Sequence, residues 1–248
     1  MTLEQFFAEN REVAIAFSGG VDSAYLLYAA KRYAARVKAY YVSTAFQPEF
    51  ELEDARRLAD ELGADMLVLH VDILSNSAVT ANPSDRCYHC KNTLFRQILR
   101  AAENDGFPVL LDGANASDDA GDRPGMRALR ELSVRSPLRE CGLTKAEIRR
   151  LSKEAGLFTW DKPAYACLAT RIRTGEEITL QKLKQTEKAE GFLFGLGFRD
   201  FRVRMVDNIA KLELRETDLP LLLENRGKIV TELRKDYDSV LLNLEVRK

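Results

Sequence analysis

Four cysteines, two histidines and one tryptophan are spread over 248 residues. So few thiols argue against a disulfide-stapled secreted scaffold and point to cysteine chemistry or metal binding in a reducing compartment. Charge of one sign is missing as well, since 37 basic residues stand against 38 acidic ones for a net charge of -1. That balance gives no general pull toward nucleic acid or anionic lipid, so neither a nucleic-acid nor a membrane partner is expected. No apolar run reaches the length of a membrane span, and Met1-Thr2-Leu3-Glu4-Gln5 lacks the basic start of a secretory signal. A cytoplasmic location is the expectation. Internal repeats and low-complexity segments are absent too. What remains is 46% hydrophobic and 30% charged residues, which fills the core of one large domain or two modest ones.

The most informative stretch present is Ser18-Gly19-Gly20-Val21-Asp22-Ser23. The apolar run before it, Val13-Ala14-Ile15-Ala16-Phe17, has the length of a buried parallel strand, and the run from Ala24 to Ala30 is helical. Two glycines let the backbone approach a ligand closely. The following helix offers its unpaired N–H groups and positive dipole end, a setting suited to pyrophosphate. An Asp/Ser helix cap beside an ordinary glycine turn is the alternative. The Gly-Lys-Ser/Thr ending of a Walker A loop is lacking, as is Gly-x-Gly-x-x-Gly spacing. The stretch resembles the SGGxDS loop of the PP-loop ATP pyrophosphatases, which adenylate a substrate by cutting ATP between its α- and β-phosphates. That resemblance implies ATP bound by Ser18, Gly19, Gly20, Val21, Asp22 and Ser23, with Asp22 close to the magnesium-bound phosphates.

Strands are expected at 37–43, 65–71 and 109–111, with a helix at 49–62 ending at Gly63 and another running to Leu99. Strands alternating with helices at this spacing predict an α/β fold, a doubly wound parallel sheet whose ligands sit beyond the carboxyl ends of the strands. Ser43 and Thr44, at such an end, either line an adenine pocket or form a plain turn. Thr144 and Glu147 read as a capping box opening a helix to Ala155. After about Gly175 the rhythm becomes helix 179–195, a hairpin around Asp207-Asn208, helix 218–235 and a last strand 240–246. This predicts a PP-loop domain at 1–172 and a smaller α+β domain at 173–248.

Cysteine use is uneven. Arg86-Cys87-Tyr88-His89-Cys90-Lys91 holds a Cys-x-x-Cys pair, which fits half a zinc site, a redox dithiol, two cluster ligands or two inert thiols. Zinc needs four ligands, and no second pair follows. Small and acidic residues crowd the stretch from Asp112 to Gly125, where carboxylates either hold magnesium or form a solvated loop. Cys141 has no partner pattern and reads as structural. Cys167, with Arg171 four positions on, is either an inert thiol or a thiolate favoured by a neighbouring cation. Arg202 and Arg204 share one strand face, a pair suited to a phosphate.

Three stretches together, residues 18–23, residues 86–91 and Pro163-Ala164-Tyr165-Ala166-Cys167-Leu168-Ala169-Thr170-Arg171, resemble the LarE family. Asp112-Gly113-x-Asn115, Asp119, Gly121-Asp122 and Ser136-Pro137-Leu138 resemble it too, although Thr170 stands where Ser is usual. The resemblance implies ATP-dependent sulfur transfer onto pyridinium-3,5-biscarboxylic acid mononucleotide in nickel-pincer cofactor synthesis. It implies Gly113 near the nucleotide, and Thr170, Arg171, Arg202 and Arg204 at the substrate. For sulfur it offers two routes: sacrifice of Cys167, or a four-iron four-sulfur cluster on Cys87, Cys90 and Cys167, the route favoured by the paired cysteines. It also implies a homo-oligomer, with a hexamer as one form. The competing readings are an NAD or GMP synthetase-like amide ligase, a tRNA thiolase, or a non-catalytic nucleotide-binding regulator.

Overall fold

A computed structural model describes residues 1–118, 124–163 and 165–247. In chain order the helices are α1 (Leu3–Glu9), α2 (Val21–Tyr33), α3 (Glu49–Glu61), α4 (Ser77–Thr80), α5 (Arg86–Asn104), α6 (Pro124–Glu131), α7 (Pro137–Glu140), α8 (Lys145–Glu154), α9 (Leu180–Gly195) and α10 (Leu219–Leu233). The strands are β1 (Glu12–Ala16), β2 (Arg36–Ser43), β3 (Asp65–His70), β4 (Val109–Leu111), β5 (Arg202–Val206), β6 (Ile209–Glu213) and β7 (Ser239–Leu242). The chain divides into one unit of residues 1–73 and 85–164 and a second of residues 74–84 and 165–248.

The first unit is the expected α/β fold. Its sheet runs β3-β2-β1-β4, with every pair parallel. Central β1 buries both faces, which is why its sequence is apolar without alternation. Val13 and Ile15 join the core made with α1, α2, α3 and α8, while Ala14 meets Tyr40, Leu110 and, from α5, Ile98 and Ala102. From β1 the chain steps to β2 and β3 on one side and later returns to β4 on the other. The switch point therefore lies between β1 and β4, and the loops leaving their carboxyl ends part there. Helix α1, unread in the sequence, is opened by a reciprocal Thr2–Gln5 capping box. At Thr144 only half of the expected box forms, with the hydroxyl accepting from the Glu147 N–H.

In the second unit β5 and β6 form the expected antiparallel hairpin, turning at Asp207, whose φ of 53° suits a tight hairpin turn. Strand β7 returns parallel to β6 and stops at Leu242, short of the expected 246. The core packs Leu193, Phe198, Val203, Leu212, Ile229 and Leu233. The division falls at 164/165, where the sequence reading puts it at 172/173. The second unit also takes in residues 74–84, because Ile178 N–H donates to Thr80 O and Gly175 N–H to Asn82 O, each at 2.8 Å. The Asn82 side chain adds bonds to the Arg173 and Glu176 carbonyls.

Candidate active site

The loop between β1 and α2 is braced by its own serines. Ser23 Oγ lies 3.0 Å from Ser18 Oγ and donates to Gly20 O at 3.1 Å. Gly19 takes a φ of 71° that favours glycine. Gly20 is the N-cap of α2 and offers no side-chain cap, so the first-turn N–H groups are left to a ligand. The loop after β4 lies directly on that turn: a Cβ on Gly113 would sit 2.9 Å from Ser23 N. Glycine is needed at 113 because backbone meets backbone.

These two loops line a cavity of about 680 Å³ in the first unit, within the range that holds small-molecule ligands. Ser18, Gly20, Asp22, Ser23, Asp112 and Gly113 line it, joined by Gln47, Cys87, Lys91 and Asp118. Thr44 and Ser43 are not among the lining residues. Thr44 Oγ1 instead bonds Gln47 Oε1 at 2.7 Å, a local turn that delivers Gln47 to the cavity. Residues 119–123, part of the acidic stretch read as either a magnesium site or a solvated loop, lie outside the described residues.

Asp22 is the best-placed acid of the loop. Its Oδ2 accepts from Lys145 Nζ at 2.6 Å, and its Oδ1 is buried with no hydrogen-bond partner. A buried, unpaired carboxylate oxygen is costly unless a ligand or ion completes it, so the position fits a magnesium ion. Lys145 escapes sequence reasoning; its only local mark is its place in the first turn of α8. Asp112 is buried and accepts from Ser136 Oγ at 2.6 Å and Ala114 N–H at 3.2 Å. Burial pushes its carboxyl above the usual range, against the Ser136 bond and the charges of Lys91 and Arg139. A carboxyl raised on folding stabilises fully below its unfolded pKa, about 3.9. That contribution is lost as pH rises through the folded value. Asp112→Asn keeps both accepted bonds and removes the buried charge. Its Tm is expected to exceed the parent's at about pH 8, with the gain shrinking toward about pH 4; a lower Tm at the higher pH would contradict this.

Cys87 is exposed in the first turn of α5, and Cys90 follows one turn on, half-buried. Arg86 Nη2 lies 3.9 Å from Cys87 Sγ. Cys141 packs against the first unit's core, where burial raises its thiol. Cys167 belongs to the second unit and caps a short 3-10 helix, Leu168–Arg171. Its carbonyl accepts from Thr170 N–H at 2.9 Å and Thr170 Oγ1 at 2.8 Å. Among the described residues no three His, Cys, Asp or Glu side chains gather as a metal site.

Arg171 is 1% exposed and its charge is spent inside the unit. It bonds Glu190 Oε1 at 2.7 Å and Oε2 at 3.0 Å, Ala166 O at 3.0 Å and Thr170 Oγ1 at 2.9 Å. Burial pulls its guanidinium down, but Glu190 above all, then Tyr165 and Cys167, leave it above its usual value. Arg204 bonds Glu213 Oε1 at 3.0 Å and Thr170 O at 2.5 Å. Arg202, half-buried, is held below its usual value by burial and by Arg247, Arg171 and Arg204.

Two comparisons bear on this arrangement. The asparagine synthase family model matches residues 4–118, the part that carries the loop. The pyridinium-3,5-bisthiocarboxylic acid mononucleotide synthase of Lactiplantibacillus plantarum is 34% identical over 94% of this chain and 85% of its own. The chain belongs to the LarE family. It is accordingly an ATP-dependent sulfur transferase of the PP-loop type. An uncharacterized protein of Synechocystis sp. is 40% identical over 86% of this LarE-family chain and 80% of its own length. A tRNA-specific 2-thiouridylase of Thermotoga petrophila is more distant, 26% identical over 59% of this chain and 52% of that protein. No helix among the described residues of the LarE-family chain is long and apolar enough to cross a membrane.

Proposed function

We propose that the chain uses ATP to adenylate a carboxylate of pyridinium-3,5-biscarboxylic acid mononucleotide and replaces one carboxylate oxygen with sulfur. The observation that carries the reading is the half-satisfied Asp22 in the first turn of α2, bonded to Lys145 and lining a nucleotide-sized cavity. A carboxylate oxygen attacks the α-phosphorus, the α–β phosphate bond breaks, and pyrophosphate leaves with the electron pair. The N–H groups of the first turn of α2 and the Ser18 and Ser23 hydroxyls hold the departing phosphates. Lys145 offsets the charge that develops on them. Magnesium, held through Asp22, supplies further charge neutralisation. Thr170, Arg202 and Arg204 bind the substrate, with the arginines at its phosphate, and Arg171 supports the turn that bears Cys167.

For sulfur, the reading favoured by the Cys87–Cys90 spacing is a four-iron four-sulfur cluster with Cys167 as third thiolate. The pair on α5 fits two corners of such a group. Among the described residues no third donor gathers with them. In the other route the Cys167 sulfur attacks the acyl carbon and AMP leaves. The Cys167 Cα–H proton is then lost and its Cβ–S bond breaks, leaving a thiocarboxylate on the substrate and dehydroalanine in the chain.

A homo-oligomer, with a hexamer as one form, is supported by the exposed Leu223, Leu241 and Leu244 of the second unit. A cytoplasmic location is supported by the low cysteine content, four in 248 residues. Pyrophosphate release tests the function: it is expected with the mononucleotide and not with ammonia and a plain carboxylate, or with tRNA. Release supported equally by tRNA would overturn the reading.

A further inference from the structure

We propose that Arg247 is a substrate-recognition residue, which joins Arg202 in an anion site for a phosphate monoester and is held in place by Asp200. The inference rests on the reading of Arg202 and Arg204 as the phosphate grip and extends it to a residue that neither motif nor spacing singled out. Two separate links within the second unit bring Arg247 beside Arg202. Arg202 pairs across the hairpin with Glu213, and the next carbonyl, that of Leu214, accepts the Arg247 N–H at 2.9 Å. The other link is Asp200, two positions before Arg202 in sequence. Its Oδ1 accepts from Arg247 Nη2 at 2.8 Å and from Nε at 3.2 Å.

The local charges do not balance. Arg171 is matched by Glu190, Arg204 by Glu213, and Arg247 by Asp200. The Arg202 guanidinium has no hydrogen bond or ion pair among the described residues, and its cross-strand neighbour Glu213 is already taken by Arg204. Arg202 is half-buried, and burial and then the like charges of Arg247, Arg171 and Arg204 hold its guanidinium below its usual value. An excess cation in that setting is stabilised by an incoming anion. A phosphate monoester suits it better than a carboxylate, because three terminal oxygens and up to two charges can be shared by two planar forks. Asp200 then has two effects. It orients Arg247, and its own charge opposes the anion.

The experiment measures binding of pyridinium-3,5-biscarboxylic acid mononucleotide and of its phosphate-free nucleoside to the full chain by calorimetry. Arg202→Ala and Arg247→Ala are each expected to weaken the mononucleotide about tenfold or more, leaving the nucleoside unchanged. Asp200→Asn keeps the oxygen that accepts from Arg247 and removes the charge, so it is expected to tighten the mononucleotide about threefold. A purely structural ion pair would give loss in both variants, so the opposite sign is diagnostic even where Arg247→Ala folds poorly. If Arg202→Ala discriminates against the phosphate but Arg247→Ala does not and Asp200→Asn weakens binding, the assignment of Arg247 is wrong while the phosphate grip stands. If Arg202→Ala affects mononucleotide and nucleoside alike, the phosphate grip itself is wrong, and Arg247 falls with it.

Discussion

Replacing Asp22 by Ala is expected to abolish substrate-dependent pyrophosphate release, a fall of at least about a hundredfold, the scale of losing one preorganised electrostatic group. The fold should survive. Asp22 is in the first turn of α2 and makes one ion pair, with side chains 23% and 33% exposed, so its loss removes little stability. Two things go with the carboxylate: the oxygen offered to magnesium and the partner that anchors Lys145. Asp22→Asn separates them only partly, since it keeps the shape and lowers the metal affinity. An Asp22→Ala protein with unchanged circular dichroism and unchanged pyrophosphate release would mean that the glycine loop does not hold the triphosphate.

Cys167→Ala is expected to show the second large effect, complete loss of thiocarboxylate product with pyrophosphate release kept within about threefold. The groups assigned to the phosphate chemistry, the loop, Asp22 and Lys145, are in the first unit; Cys167 belongs to the second. Both sulfur routes run through Cys167, so this outcome is common to them. Cys87→Ala tells them apart. On the cluster reading it also loses sulfur transfer and any iron-dependent colour under anaerobic preparation. On the sacrificial reading it transfers one sulfur per chain and leaves dehydroalanine at position 167. Sulfur transfer by Cys167→Ala at the parent rate would contradict both.

Local chemistry was readable from the sequence, and long-range contact was not. The loop at residues 18–23 announces itself because strand, glycines and helix start are contiguous, and each constrains the next. The parallel sheet follows from the spacing of apolar runs, and the hairpin from Asp207-Asn208, where a short polar residue tolerates the left-handed turn. By contrast, Lys145 reaches Asp22 across 123 residues of chain, and nothing within its own helix hints at it. Residues 74–84 fall within the domain expected at 1–172. They belong to the second through Thr80 and Asn82, whose partners lie near residue 175. Thr44 has the right chemistry for a pocket, yet its hydroxyl is used in a turn and Gln47 takes the cavity. Arg171 reads in sequence as a cation four positions from the Cys167 thiol. Only the fold supplies Glu190, the buried carboxylate that makes an interior guanidinium tolerable.

The central claim is that a substrate carboxylate is activated on the α-phosphate of ATP and then exchanged for sulfur. The fate of the carboxylate oxygen tests it most directly. Mononucleotide carrying oxygen-18 in its carboxylates is incubated with ATP and the protein, and the AMP is isolated and weighed by mass spectrometry. Attack through that oxygen and departure of AMP at the sulfur step leave one heavy oxygen in each AMP formed. AMP without the heavy label, formed alongside thiocarboxylate product, would contradict the account.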